Sequence, residues 1–294
     1  MYYFTIRDIE NLCGIKAHTL RVWEQRYNFF TPKRKESKHR LYDNEDLKQL
    51  LRISFLYQHG WKISKIAQLS PEQIIREASQ FQPGPESYQY FINQLLECAL
   101  DFEKEGFTKQ LENIIAKTGF EDCIRQVCYP LLQKIGMLWM TNHVIPAQEH
   151  FCSYIIQHKI IAETEKLAKP ASSAPEIILF CPHGEYHELP LFYMDYLLKK
   201  WGWSTFFLGS NVSFDLLQQF VHRDSVQYLF LHVITNFTGF TMDDYFEKLC
   251  KTFADKKIIA SGTSVFGLQR NFTNLTVLKS DDAIIQFIES HGAI

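Results

Sequence analysis

The sequence predicts a multidomain α and α/β chain: a winged helix-turn-helix head, a four-helix bundle and a Rossmann-like doubly wound parallel sheet. Three observations predict it. The first 70 or so residues are basic and hold two short helical patterns that meet at Gly14. Between 84 and 168, apolar residues recur at helical spacing. From 176 onward, short strand-like runs alternate with helical patterns, as in a parallel sheet. The domain limits that follow are 1–75, 84–168 and 175–294.

In the head, Thr5 is placed to cap a helix over Arg7–Cys13, and Gly14 ends it. A second helix runs from Lys16 to Tyr27. Two short helices joined by a tight turn with glycine make a helix-turn-helix pattern. The polar, basic segment Asn28–Tyr42, with Pro32, fits a loop or a two-stranded wing. A third helix is expected over Asn44–Gly60 and a fourth over Ser64–Leu69.

The bundle reads as Tyr90–Phe102, Phe107–Lys117, Phe120–Trp139 and Ile145–Leu167, with breaks at Gly106, Gly119 and Pro146. A Pro/Ser-rich linker, Lys169–Pro175, follows. Strands are then expected at Glu176–Cys181, Ser204–Leu208, Tyr228–Val233, Lys257–Ala260 and Leu275–Leu278. Helices are expected at His187–Trp201, Ser213–His222, Thr241–Ala254, Ser264–Asn271 and Asp282–His291. Ligands bind such sheets beyond the carboxyl ends of the strands. That directs attention to the loops 182–187, 209–213, 234–240 and 261–264.

Charge separates the parts. Residues 1–70 carry 13 Lys/Arg against 7 Asp/Glu, and the remainder carries 18 against 26. A basic head on an acidic body suggests a polyanion partner for the head alone. The seven cysteines, at 13, 98, 123, 128, 152, 181 and 250, form no CxxC pair. With no signal peptide in view, a reduced, cytoplasmic protein is expected. No apolar run is long enough for a bilayer. Cys181, His183 and His187 lack the spacing of a zinc site, and no GxGxxG occurs.

The head carries Thr19-Leu20-Arg21, Trp23-Glu24, Arg26-Tyr27, Pro32, and Arg40-Leu41-Tyr42 followed by Asp43, Glu45 and Asp46. Over residues 2–70 this resembles the MerR family of transcription regulators. The second helix offers Lys16, His18, Thr19, Arg21 and Arg26 as polar reach, with Leu20, Val22, Trp23 and Tyr27 available to pack inward. Residues near the start of a recognition helix meet base edges in the major groove. By analogy Lys16, His18 and Arg21 go to the groove. Arg34, Lys38, Arg40 and Tyr42 of the wing go to phosphates, where contacts give affinity and salt sensitivity. The resemblance implies double-stranded operator DNA as partner and a homo-oligomer, dimer or tetramer.

The body carries Trp139, then Glu149-His150, and later Gly184-Glu185-Tyr186-His187-Glu188-Leu189-Pro190. These resemble the cobalamin-binding, light-sensing MerR repressors of the CarH and LitR group. The resemblance implies adenosylcobalamin as cofactor, with His187 as the lower cobalt ligand. A neutral imidazole suits that role, and Glu185 or Glu188 would orient its ring. Trp139 would lie over the cobalt, Glu149 near the adenosine, and His150 would take the cobalt after light breaks the cobalt–carbon bond.

Three positions depart from that pattern. Pro190 stands where a glycine is expected, His232-Val233-Ile234 falls at the Ser-x-Leu element, and Ser261-Gly262 falls at a Gly-Gly pair. The small residues make room for the nucleotide tail, so His232 and Ser261 bear on whether it fits. Two regulators therefore stay open. One is a photoreceptor that represses carotenoid or other photoprotection genes in the dark. The other has the same architecture, no cobalamin, and a body used for oligomerisation or another signal. A corrinoid methyl carrier is a third possibility that the head argues against. None of the regulator readings is an enzyme.

Overall fold

The computed structural model describes residues 3–27, 33–34, 40–80, 88–140, 146–221, 226–235 and 241–292. The side chains at 33, 34, 79, 137–140 and 146 are outside that description. The chain divides into two compact units, 1–156 and 157–294.

The first unit opens with α1 (Ile6–Cys13). Thr5 and Asp8 cap it reciprocally: the Thr5 amide donates to the Asp8 carboxylate at 2.7 Å, and the Asp8 amide donates back to Thr5 Oγ1. Gly14 closes the helix in the left-handed conformation, with φ +69°. The carboxylate of Glu10 accepts the Ala17 amide at 3.2 Å and so starts α2 (Ala17–Tyr27). A two-stranded antiparallel wing follows, β1 (Lys33–Arg34) and β2 (Arg40–Leu41). Asp43 and Asp46 form a second reciprocal cap for α3 (Asn44–Gln58).

After the four-residue α4 (Ile63–Ile66) comes a helix absent from the sequence expectation, α5 (Pro71–Gln80). Its signal was present. Ser70 and Gln73 exchange cap hydrogen bonds, and Pro71 takes the first turn.

Four helical segments follow: α6 (Tyr88–Leu100), α7 (Lys104–Thr118), a composite third segment, and α10 (Pro146–Thr164), whose residues after Ile156 belong to the second unit. The composite begins as α8 (Phe120–Asp122), widens to π winding over Cys123–Cys128, and continues as α9 (Tyr129–Met140). Pro130 explains the widening. It has no amide hydrogen, and its ring crowds the carbonyl one turn back. Leu95, Phe107, Leu111, Cys123, Ile124, Val127 and Leu131 fill the core with no exposed surface.

The second unit is a five-stranded parallel sheet: β3 (Glu176–Pro182), β4 (Ser204–Val212), β5 (Val226–His232), β6 (Lys257–Ser261) and β7 (Leu275–Val277), in the order β4-β3-β5-β6-β7. Central β3 is covered on both faces, so Ile177–Cys181 read as an unbroken apolar run and all are fully buried. The connecting helices are α11 (Leu189–Lys200), α12 (Phe214–Phe220) and α13 (Met242–Thr252), and α14 (Asp281–His291) closes the chain.

Two sequence expectations fail here. The helix proposed for Ser264–Asn271 is only one 3-10 turn, Thr263–Val265. The amides of Gln269 and Arg270 donate to Asp243 instead of continuing a helix. The helix expected from His187 begins at Leu189, which leaves His187 in the loop. The chain leaves β3 for β4 on one side and later returns to β5 on the other. The β3/β5 border is thus the switch point where such sheets bind ligands.

Candidate functional site

In the head, Leu20 and Trp23 pack inward, with Trp23 edge-on to Tyr57 at 4.9 Å. His18, Arg21, Val22, Gln25 and Arg26 are exposed along one side of α2, and Thr19 is half-buried beside them. Val22 was expected to pack inward and does not. Lys16, just before α2, is well exposed and sits 3.2 Å from Glu10. Such a surface pair is weak.

The wing residues divide. Arg40 donates to Glu24 at 2.6 Å in a largely buried pair that ties β2 to α2. Tyr42 corrects the phosphate assignment. It is fully buried, its backbone pairs with Phe4, and burial pushes its phenol up to about 12. It packs the head and does not face a phosphate. Lys38 and the side chain of Arg34 lie outside the described residues.

The sheet unit assembles a second site on the β3/β5 border. Glu185 is 1% exposed. Its Oε1 accepts the amides of Tyr186 and His187 and, at 2.6 Å, the ring Nδ1 of His187. Its Oε2 accepts the amides of Ile234 at 2.8 Å and Thr235 at 2.7 Å, and the Thr235 hydroxyl at 3.0 Å. One carboxylate therefore joins the loop after β3 to the loop after β5. Burial alone would raise its pKa. The hydrogen bonds from His187, Thr235 and Ile234 outweigh that and hold it at about 2.

The chemistry of His187 follows. A carboxylate can only accept, so Nδ1 carries a proton and donates it to Glu185. The His187 side chain is 50% exposed. The loop is braced from β4 as well. Asn211, in the left-handed conformation at φ +57°, donates its amide to the Glu185 carbonyl and accepts the Gly184 amide. Sequence reasoning missed Thr235 and Asn211, because both act from other strands. Thr235, whose hydroxyl reaches Glu185, directly follows His232-Val233-Ile234, the place of the Ser-x-Leu element. Of the two acidic candidates, Glu185 holds the ring. Glu188 is the N-cap residue of α11, and Pro190 sits in its first turn.

His232 and Ser261 face each other across β5 and β6, Nδ1 to Oγ 2.8 Å. Burial lowers the His232 pKa to about 4, Glu185 opposing and His187 assisting, so the ring is neutral at pH 7. Gly262 has φ +100°, and a Cβ there would stand 2.2 Å from the Val233 carbonyl oxygen. Exposed apolar side chains, Tyr186, Ile234 and Phe266, come from the loops at the same edge.

In the first unit, Glu149 and His150 lie on α10 with His150 Nδ1 3.3 Å from Glu149, both partly open to solvent. The backbone of Trp139 is in α9, and its side chain is outside the described residues.

The family model described as MerR HTH family regulatory protein matches residues 4–73, and that described as B12 binding domain matches 91–162. The HTH-type transcriptional repressor CarA of Myxococcus xanthus is 30% identical over 72% of this chain and 70% of its own length. The chain belongs to the MerR family. CarH, an HTH-type transcriptional repressor of the same organism, is 25% identical over 71% of both chains. This MerR-family protein is therefore a DNA-binding transcriptional regulator with a B12-binding domain, and not an enzyme. The monomethylamine corrinoid protein of Methanosarcina barkeri shares the fold, with a TM-score of 0.55 at 13% identity, over 69% of this chain and 98% of its own. Among the described residues, no helix is long and apolar enough to cross a membrane.

A corrinoid fits the donor set at the sheet edge. The Glu185 carboxylate orients the ring of His187 from Nδ1, as a carboxylate orients an imidazole that ligates a metal.

Proposed function

We propose that this regulator binds adenosylcobalamin at the carboxyl edge of its parallel sheet and changes operator affinity and oligomeric state in response to light. The observation that carries the reading is the Thr235–Glu185–His187 chain. It orients the imidazole through Nδ1, so that Nε2 is the ring nitrogen that would serve as the lower ligand. When bound, the cofactor supplies a cobalt–carbon bond that light breaks. Glu185 orients His187 and raises its basicity, and Thr235 and Ile234 hold Glu185. Gly262 lets the ends of β5 and β6 approach, and Tyr186, Ile234 and Phe266 offer apolar contact. Glu149 and His150 of α10 enter through the family resemblance, one for the adenosine and one as a second imidazole. Trp139 enters on the same ground. In the head, Lys16, His18, Thr19, Arg21 and Arg26 contact DNA from α2, and Arg34 and Lys38 from the wing. The operator-binding form is a dimer, or a tetramer built of two such dimers.

The His232–Ser261 pair favours a second reading, a regulator whose body no longer takes cobalamin, since both side chains are larger than the small residues expected there. One experiment separates the two. The purified protein is mixed with adenosylcobalamin in the dark, gel-filtered, and its visible spectrum recorded. Retained corrin absorbance is expected, with a His-ligated spectrum that His187→Ala loses. A protein fraction free of corrin absorbance would reject the cobalamin reading and leave the second.

A further inference from the structure

The exposed side of α2 is a single stripe. His18, Arg21, Val22, Gln25 and Arg26 recur at i, i+3, i+4, i+7 and i+8. Four of these five side chains can hydrogen-bond. Val22, at the centre, cannot, and it is 40% exposed. A lone valine on a protein surface is ordinary. This one is set apart by its place inside a hydrogen-bonding stripe on the recognition helix. Packing does not account for it, because Leu20 and Trp23 fill the inner side. Helix propensity does not account for it either, since a β-branched residue is a modest helix former.

The major groove offers one apolar group on a base edge, the C5 methyl of thymine. We propose that Val22 is a specificity-determining residue that reads a thymine by methyl contact, flanked by the polar groups of His18, Arg21 and Gln25. The proposal rests on α2 entering the major groove. It adds a base preference that the charged residues do not carry. Arg21 and His18 would recognise hydrogen-bonding edges, whereas Val22 would reject cytosine in the same place for want of a methyl.

The test uses the full-length protein. Sites are selected from random duplex DNA, with adenosylcobalamin in the dark and without it. Each thymine of the enriched site is then replaced by deoxyuridine, which removes the methyl group alone. Wild type should lose roughly fourfold in affinity at one thymine per half-site, the effect of one buried methyl. Val22→Ala should bind the thymine and uracil duplexes alike. Alanine is the better helix former, so the variant keeps its fold. Failure to enrich a site, an enriched site without a fixed thymine, or a methyl dependence unchanged in Val22→Ala overturns the proposal. Arg21→Ala in the same assay separates the levels. If Arg21→Ala weakens binding while Val22→Ala changes nothing, only the thymine contact fails. If both bind as wild type, the placement of α2 in the groove fails with it.

Discussion

Glu185 concentrates more of the sheet site than any other side chain. Six hydrogen bonds converge on it, from two loops that leave different strands. Its pKa falls from an ordinary 4.5 to about 2, so its stabilising effect is complete above 4.5 and is lost as pH falls toward 2. The difference in stability between wild type and Glu185→Gln should therefore shrink as pH falls below 4.5, by up to about 3 kcal/mol. Urea midpoints taken across that window measure it; a difference independent of pH would contradict the assignment. Gly262 makes a second prediction at this scale. Its left-handed conformation and the Val233 carbonyl beside it exclude a side chain. Gly262→Ala should destabilise the protein by roughly 2 kcal/mol or more, read from the same urea midpoints.

Among the elements, α3 and α6 meet within the first unit through charge as well as packing. Arg52 grips Glu97 with two nitrogens, Lys48 pairs with Asp101, and the rings of Phe55 and Tyr90 lie 4.8 Å apart. Glu97 is mostly buried, and burial raises its pKa against the pull of Arg52. Arg52→Ala strands that carboxylate and should cost about 1–3 kcal/mol. Glu97→Gln in the same background should recover part of the loss, and thermal unfolding of the two variants checks it. This junction connects the third helix of the DNA-binding head with the first helix of the B12-binding domain match. On its other side α3 packs against α2 through Tyr57 and Trp23.

Across the whole molecule, charge and function divide together. The basic head carries the DNA-binding domain, and the remainder of the chain is acidic. Operator binding should weaken steeply with salt, and Lys38→Ala should lower the slope of log affinity against log salt by about 1. An unchanged slope would remove Lys38 from the phosphate contacts. With adenosylcobalamin in the dark, light scattering should report a larger assembly than the apoprotein, and illumination should reverse the gain. A mass indifferent to cofactor and light would separate DNA binding from oligomer switching.

The sequence by itself determined the parallel sheet and the MerR head. These are written in local signals: caps at Thr5 and Asp43, glycine at 14, apolar period, and motif spacing. Tertiary structure alone decided which groups act together. It buried Tyr42, exposed Val22, paired Arg40 with Glu24, and brought Thr235 and Asn211 to the loop around Glu185. The physical reason is that a hydrogen bond between loops of different strands depends on strand order and register. Neither leaves a mark in the spacing of residues along the chain.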